Sequence, residues 1–312
     1  MLNPVHLATL VTVIRTGSFA DAARELGYTG SAVSQQIAAL ERATRVTLFD
    51  RSARSVTATP AAELLAARSR EALALLRDLE DDVAAMASGQ LGTLRVGSFP
   101  TASEALLPVA FRHFREIQPR VKVRLEEAES DQLIGQLLDG QIDVTLMHQY
   151  DLVPRATPKG LIRVPLIDED LLLLVPESHP LVGLGYASWR KLESETWITT
   201  GHGTAGAACL RRLSARAGFE PQIAFRSNDY DVIREFVRSG LGVALVPALC
   251  GGASPGTVAI SSDHGEVRRR VSLLHRGETL NPVVSGFLDA LHRAVRDVSS
   301  EYMRPPGASA GQ

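Results

Sequence analysis

Few side chains in these 312 residues could make or break bonds. The eight histidines stand at positions 6, 113, 148, 179, 202, 264, 275 and 292, and no two have the spacing that puts a metal-binding pair on one helix face. Cys209 and Cys250 lie 41 residues apart, too few for a disulfide framework, and read as buried apolar residues rather than redox sensors. Gly201-His202-Gly203 has no serine or cysteine nucleophile elbow beside it. Gly240-Leu241-Gly242 has Leu245 where a third glycine would fall, and it precedes an apolar strand pattern instead of following one, the wrong context for a dinucleotide. The expectation is no enzyme, no metal and no cofactor.

Recognition is a better-supported chemistry. Gly30, Ser31, Ala32, Ser34, Gln35 and Ala38 are small, hydroxyl-bearing or amide-bearing where a solvated helix usually carries long charges. Small residues let a helix approach a DNA groove closely, and hydroxyls and amides bond phosphates and base edges, Gln35 being able to hold adenine at two points. An ordinary polar helix face is the competing reading. Arg51 and Arg54 lie in a short loop between strand-like residues, where they would reach phosphates or simply be solvated. A second set suits a small ligand: Ser98, Thr101 and Ser103 after an apolar strand, His148 with Gln149, Thr200 and His202 within the run 199–204, and Asn228. Hydroxyls beyond strand ends and at helix starts favour a carboxylate or another anion; helix caps and turns would use the same residue types.

The elements that must position these groups follow from periodicity. Leu7, Leu10, Val11 and Ile14 form one helical face, broken by Thr16-Gly17. Ser18 with Asp21 opens a second helix over Phe19, Ala22, Ala23 and Leu26, which Gly27 stops. Thr29 or Ser31 caps a third, with Val33, Ile37 and Leu40 inward; two short helices about a tight glycine turn make a helix-turn-helix. Val46–Pro60 reads as a hairpin wing. Residues 61–88 lack glycine and proline, and Leu65, Ala72, Leu76, Leu79, Val83 and Met86, with Ser69 as a weak member, trace a heptad seam that wants a partner helix, most simply a second copy. After Ser88–Gly92 strands alternate with helices: strands at 93–97, 121–126, 142–147, 171–175, 197–198, 222–226 and 243–246, and helices at 104–117, 131–138, 207–217 and 232–239. Such alternation predicts parallel doubly wound sheets in two lobes that part near residue 163.

Composition bounds the function. Hydrophobic residues at 45% and charged ones at 22% exclude disordered and fibrous chains. The net charge of −2 gives no overall basic signature, although residues 1–60 carry six arginines against four acids. No apolar run is long enough to span a bilayer, and the N-terminus lacks a basic n-region, so a cytoplasmic protein without a membrane partner is expected.

The motifs G-S-F-x-x-A-A-x-x-L at 17–26, S-A-V-S-Q-Q-I-x-x-L-E at 31–41, L-F-x-R at 48–51 and V-x-x-T-x-A at 56–61 resemble the winged helix-turn-helix of LysR-type transcriptional regulators. G-x-L-R-V-G at 92–97, G-x-I-D at 140–143 and S-G-L-G-V-A-L-V-P at 239–247 are similar to that family's effector domain, and the likeness runs over roughly residues 4–300. It implies an α/β chain: a winged helix-turn-helix over 1–60, a linker dimerisation helix over 61–88, a hinge at 89–92, and an effector domain over 93–300 like type 2 periplasmic binding proteins. Lobe I would take 93–163 and 268–300, lobe II 164–267, with a disordered tail at 301–312. By matched position the DNA contacts would be Thr29, Ser31, Ala32, Ser34, Gln35, Arg51 and Arg54, and the effector contacts Ser98, Thr101, Ser103, His148, Thr200, His202 and Asn228. The expected partners are double-stranded promoter DNA, a small-molecule effector and further copies of the chain, as homodimer or homotetramer. A regulator that ignores small molecules is the alternative; a plain solute-binding protein is disfavoured by residues 1–60. Thr44-Arg45 stands where the family usually has Leu-Gly, Gly30 and Gln35 depart from common Gln and Arg, and Ala62 replaces a glycine.

Overall fold

The computed structural model describes residues 2–51, 56–88, 92–128, 130–184, 186–251, 254–262, 267–277, 282–299 and 303–304. They fall into two compact units, Met1–Thr93 with Gly135–Ile142, and Leu94–Ile134 with Asp143–Gln312.

Local sequence builds the first unit. Helix α1 (Pro4–Thr16) starts with Asn3 Oδ1 accepting the Val5 N–H at 2.9 Å and stops at Gly17. Helix α2 (Phe19–Leu26) is capped by Ser18 and ended by Gly27, and α3 (Gly30–Thr44) is capped by Thr29, which accepts the Ala32 N–H at 3.2 Å. Gly17 and Gly27 hold φ of +66° and +69°, left-handed values that only glycine adopts freely. Arg45 ends α3 at φ +58°, the one non-glycine left-handed residue among those described; the family's usual glycine here would avoid that strain. Leu10, Val33, Ile37 and Leu40 are wholly buried, with Ala22 and Leu48 beside them. Strands β1 (Phe49–Arg51) and β2 (Val56–Ala58) pair antiparallel, Phe49 opposite Ala58. Glu41 fixes the wing to α3, its Oε1 accepting the N–H groups of Leu48 at 2.8 Å and Phe49 at 3.3 Å. The wing tip with Arg54 lies outside the described residues, as do the hinge at 89–91 and nearly all of the 301–312 tail.

Helix α4 (Pro60–Ser88) corrects the seam. Its first turns pack on their own unit: Ala62 and Ala66 are fully buried, Ser69 is buried, and Leu65 and Leu73 pack partly against the same core. The stripe left in solvent is Leu75, Leu76, Leu79 and Val83, between 41% and 69% exposed, so the unpartnered seam starts about three turns later than periodicity suggested. Ala72 lies exposed beside it, and the Met86 side chain falls outside the description.

From Thr93 the chain runs β3 (Thr93–Ser98), α5 (Pro100–Ala105), α6 (Leu107–Ile117), β4 (Lys122–Glu127), α7 (Ser130–Leu138, which belongs to the first unit from Gly135 on), β5 (Val144–Tyr150) and β6 (Leu161–Pro176). It continues with β7 (Tyr186–Ala187), β8 (Thr196–Thr199), α8 (Ala205–Ala217), β9 (Gln222–Arg226), α9 (Tyr230–Arg238), β10 (Val243–Pro247), β11 (Thr257–Ser262), β12 (Arg268–Arg276), α10 (Pro282–Val298) and β13 (Met303–Arg304). The sheet order is β4-β3-β5-β12-β6-β10-β8-β9. The expected parallel sheets are mixed: β3–β5, β10–β8 and β8–β9 are parallel, whereas β12 pairs antiparallel with β5 and β6, and β10 and β11 antiparallel with β6. The expected helix at 104–117 starts at Pro100 and is broken at Leu106 into α5 and α6, and β5 extends to Tyr150, so His148 and Gln149 lie within a strand and not beyond its end.

The sixteen-residue β6 joins both halves of the sheet, and only its last third was legible as a strand. Pro165 and the acidic run Asp168-Glu169-Asp170 hid the remainder. Opposite them stand three arginines in register, Arg270 against Asp168, Arg269 against Glu169 and Arg268 against Asp170, and the proline sits where the β12 register shifts at Val271/Ser272, a bulge that tolerates its missing N–H. One core packs Leu94, Phe114, Leu146, Leu273, Phe287 and Leu291 on the first half. Others pack Leu173, Trp189, Trp197 and Leu210, and Leu174, Ile198, Ile233 and Val246, on the second.

Candidate functional site

The face of α3 that carries the expected DNA contacts is opposite its buried stripe. Ser31 and Gln35 are exposed, and Ala32 and Ser34 are half-buried beside them. Thr29 Oγ1 accepts the Ala32 N–H and lies 2.9 Å from Ser31 Oγ, so it orders the first turn of the helix. Arg51 ends β1 at the wing; its side chain, like all of Arg54, is outside the description. The helix therefore presents small and amide groups while Val33, Ile37 and Leu40 hold it against α1 and α2.

In the second unit a cavity of about 540 Å³ opens where strand ends from both halves of the sheet meet. Phe99 and Thr101 come from the end of β3 and α5, His148 and Tyr150 from β5, and Thr200, Thr204 and Gly206 from the approach to α8. Asn228 and Tyr230 come from the start of α9, and Arg269 from β12. Of the expected effector residues, Thr101, His148, Thr200 and Asn228 line it together. Ser98 is wholly buried in the strand, Ser103 on α5 has its Oγ buried without a hydrogen-bond partner, and His202 is exposed; none of the three is part of the lining. Their residue types fitted loops, but Ser98 is the last residue of β3 and the earlier helix start puts Ser103 inside α5.

The organising group is one the sequence reading missed. Arg269 is 1% exposed, and its Nε lies 2.5 Å from Glu169 Oε1 while Nη2 donates to Thr101 Oγ1 at 2.8 Å. Glu169 Oε2 accepts the Leu249 N–H at 2.6 Å. Burial works against the Arg269 charge, yet the adjacent carboxylate pushes its pKa above the ordinary value. The guanidinium also lies 5.3 Å from the centre of the Phe99 ring. His148, between Phe99 and Tyr150, has its pKa pushed down to about 3, first by burial and then by the charges of Arg269 and Arg155, so it is neutral at ordinary pH. Burial raises both Tyr150 and Tyr230, whose hydroxyls are bonded to each other. Thr200 and Thr204 hydroxyls are 2.6 Å apart, and Asn228 Oδ1 accepts the Gly201 N–H at 2.8 Å. The paired runs 168–170 and 268–270, opposite in charge and a hundred residues apart, were the signal that could have found the Arg269–Glu169 pair.

The lining offers hydrogen-bonding groups and ring faces; among the described residues no three His, Cys, Asp or Glu could hold a metal ion, and no helix is long and apolar enough to cross a membrane. Both cysteines are buried, and burial pushes both thiols up to about 12.

Comparison with known proteins places both parts of the chain in one family. Residues 4–63 match the family described as bacterial regulatory helix-turn-helix protein, lysR family, and residues 87–296 match the LysR substrate binding domain. A probable hydrogen peroxide-inducible genes activator of Streptomyces viridosporus is 30% identical over 241 residues, 73% of this chain and 72% of that protein. The DNA-binding transcriptional dual regulator OxyR of Escherichia coli is 29% identical over 285 residues, covering 88% and 90%. Among solved structures, an OxyR of Corynebacterium glutamicum is similar with a TM-score of 0.58 at 28% identity, covering 96% and 93% of the two chains. Full-length CbnR complexed with its target DNA is similar with a TM-score of 0.57 at 25% identity, covering 94% and 99%.

Proposed function

This chain belongs to the LysR family of bacterial transcriptional regulators, and from that premise we propose that it reads an operator with α3 and answers to a small metabolite held in the cavity of its second unit. It is a DNA-binding regulator and not an enzyme. In the proposed reading Ser31, Ala32, Ser34 and Gln35 meet base edges in the major groove, and Thr29, Arg51 and Arg54 hold phosphates. Residues 1–60 form the DNA-binding domain, 61–88 the linker helix, 89–92 the hinge and 93–300 the effector domain, with lobes over 93–163 plus 268–300 and over 164–267. Copies pair through the exposed stripe of α4 as dimers, and pairs associate further as tetramers. The effector shifts the closure of the two lobes and thereby the spacing of paired DNA-binding heads, which requires that it bind one closure better than the other.

One observation carries the DNA reading: α3 exposes small and amide side chains on the face opposite a wholly buried stripe. It is tested by fluorescence anisotropy on the chain's own upstream intergenic DNA beside a scrambled duplex, across a salt series. Discrimination between the two, reduced by roughly 1–3 kcal/mol in Gln35→Ala, is expected. Equal, salt-steep binding to both duplexes would count against it.

The peroxide in the name of the Streptomyces relative is not carried over as the signal. A peroxide sensor needs an accessible thiolate, and here burial keeps Cys209 and Cys250 as thiols.

A further inference from the structure

The cavity is rich in hydrogen-bonding groups but balanced in charge. Its lining carries two cations, Arg155 and Arg269, and two carboxylates, Glu127 and Asp131. Arg155 Nη1 lies 2.9 Å from Asp131 Oδ1. Arg269 is held at 2.5 Å by Glu169, which is wholly buried behind the wall. That carboxylate cannot swing aside without orphaning the buried Leu249 N–H. Arg163 and Arg226 stand behind the lining, bonded to Gln149 Oε1 at 2.5 Å and to the Thr200 carbonyl at 3.0 Å. What faces inward is otherwise hydroxyl, amide and ring: Phe99 and His148 pack edge to face at 4.6 Å, and His148 and Tyr150 at 5.8 Å.

We propose that the cavity takes an uncharged, ring-bearing ligand with hydrogen-bonding substituents, and that Glu169, neutralising Arg269 from behind, sets the preference against anions. This rests on the cavity being the effector site. A ligand carboxylate brought to the Arg269 guanidinium would lie close to the Glu169 carboxylate, with little water between to screen the repulsion. The start of α8 offers an anion only about half a unit charge, set against a full charge on Glu169, and Thr204 already accepts the Ala207 N–H there at 3.3 Å. His148 adds no cation, being neutral. A neutral ring finds edge and face contacts on Phe99, His148, Tyr150 and Tyr230, with carbonyl and hydroxyl partners at Thr101, Thr200 and Asn228. The hydroxyl-rich loops alone favoured an anion; the buried carboxylate reverses that preference.

The test compares benzamide with benzoate, near-isosteres that differ in charge, on the full-length protein by saturation-transfer NMR. Gly206→Leu serves as the blocked-cavity control, because a Cβ at Gly206 already comes within 2.9 Å of Thr200 Oγ1 and 3.3 Å of Tyr150 Oη. Benzamide should bind the wild type about tenfold or more tighter than benzoate, with a Kd on the order of 10 mM at a drug-like per-atom efficiency, and Gly206→Leu should abolish binding. Glu169→Gln should reverse the ranking. Benzoate equal to or tighter than benzamide on the wild type overturns the proposal. So does benzamide binding that Gly206→Leu leaves unchanged, or no binding up to roughly 20 mM. The wild-type ranking decides even where Glu169→Gln fails to fold. Loss of operator discrimination would instead overturn the regulator reading and leave this ranking standing.

Discussion

Acidification is the sharpest probe of the cavity in the second unit, because His148 holds a proton affinity far from its ordinary one. Its pKa falls from 6.5 to about 3 through burial first and the charges of Arg269 and Arg155 second. The unfolded chain takes up a proton at this residue as the pH drops below 6.5, while the folded unit refuses it until about pH 3. A base depressed in the native state therefore lends its full stability above the unfolded value and loses it as the pH falls towards the folded one. Each pH unit inside that window is worth about 1.4 kcal/mol, so between pH 7.5 and 4.5 the contribution of His148 should fall by roughly 2.5 kcal/mol. His148→Phe removes the titrating group and keeps a ring between Phe99 and Tyr150. Urea unfolding followed by tryptophan fluorescence reports on the right unit, since Trp189 and Trp197 both lie in its core. The wild type should lose about 2.5 kcal/mol more than His148→Phe on acidification, and the His148 ring resonances should remain those of neutral imidazole at pH 4.5. Parallel pH profiles for the two proteins would refute the reasoning, because other titrating groups are common to both.

Glu169→Ala should cost about 3–5 kcal/mol by stranding the buried Arg269 charge, while the double variant Glu169→Met/Arg269→Leu should recover most of it; equal stabilities for single and double variants in urea would contradict this. With both thiols near 12, the thiolate fraction at neutral pH is on the order of 10⁻⁵. Peroxide should then leave Cys209 and Cys250 unmodified by intact mass and operator binding unchanged, whereas rapid sulfenic acid formation would show that the cysteines open to solvent. Arg45→Gly should stabilise the first unit by up to about 1 kcal/mol through relief of the left-handed backbone, and a loss on thermal unfolding would mean the Arg45 side chain makes a compensating contact. Leu79→Asp places a charge in the exposed stripe of α4 and should shift sedimentation towards monomer; unchanged association would move the dimer interface elsewhere.

The first unit was legible in the sequence because each signal is local. Apolar residues three and four apart, hydroxyl caps at Ser18 and Thr29, and glycine stops at 17 and 27 set three helices without reference to anything distant. Strand β6 was not, because three consecutive acids read as solvated loop until Arg268, Arg269 and Arg270 are laid beside them in register. The candidate ligand site followed the same division. Thr101, Thr200 and Asn228 follow from hydroxyl or amide residues near strand ends, and His148 was found although its strand runs on past it, whereas Arg269 and Glu169 owe their role to a pairing across the sheet. Of the heptad pattern of α4, Leu76, Leu79 and Val83 are exposed while Leu65 and Ser69 pack on the same chain, a distinction that periodicity cannot make.

The strand β6 also dictates an order of events during synthesis. The first half of the sheet begins with β3 to β5, leaves along β6, and is rejoined by β12, α10 and the short β13, the first two supplying Val271, Leu273, Phe287 and Leu291 to its core. Between these departures the chain lays down β8, β9 and β10 in one uninterrupted stretch. A ribosome delivering the chain from its N-terminus thus completes the later-starting half first and leaves the earlier one with an open hydrophobic face until the last helix emerges. Truncations within α10 should accordingly yield chains whose tryptophan-bearing half is packed while the half built on Phe114 and Leu146 remains a target for chaperones and proteases.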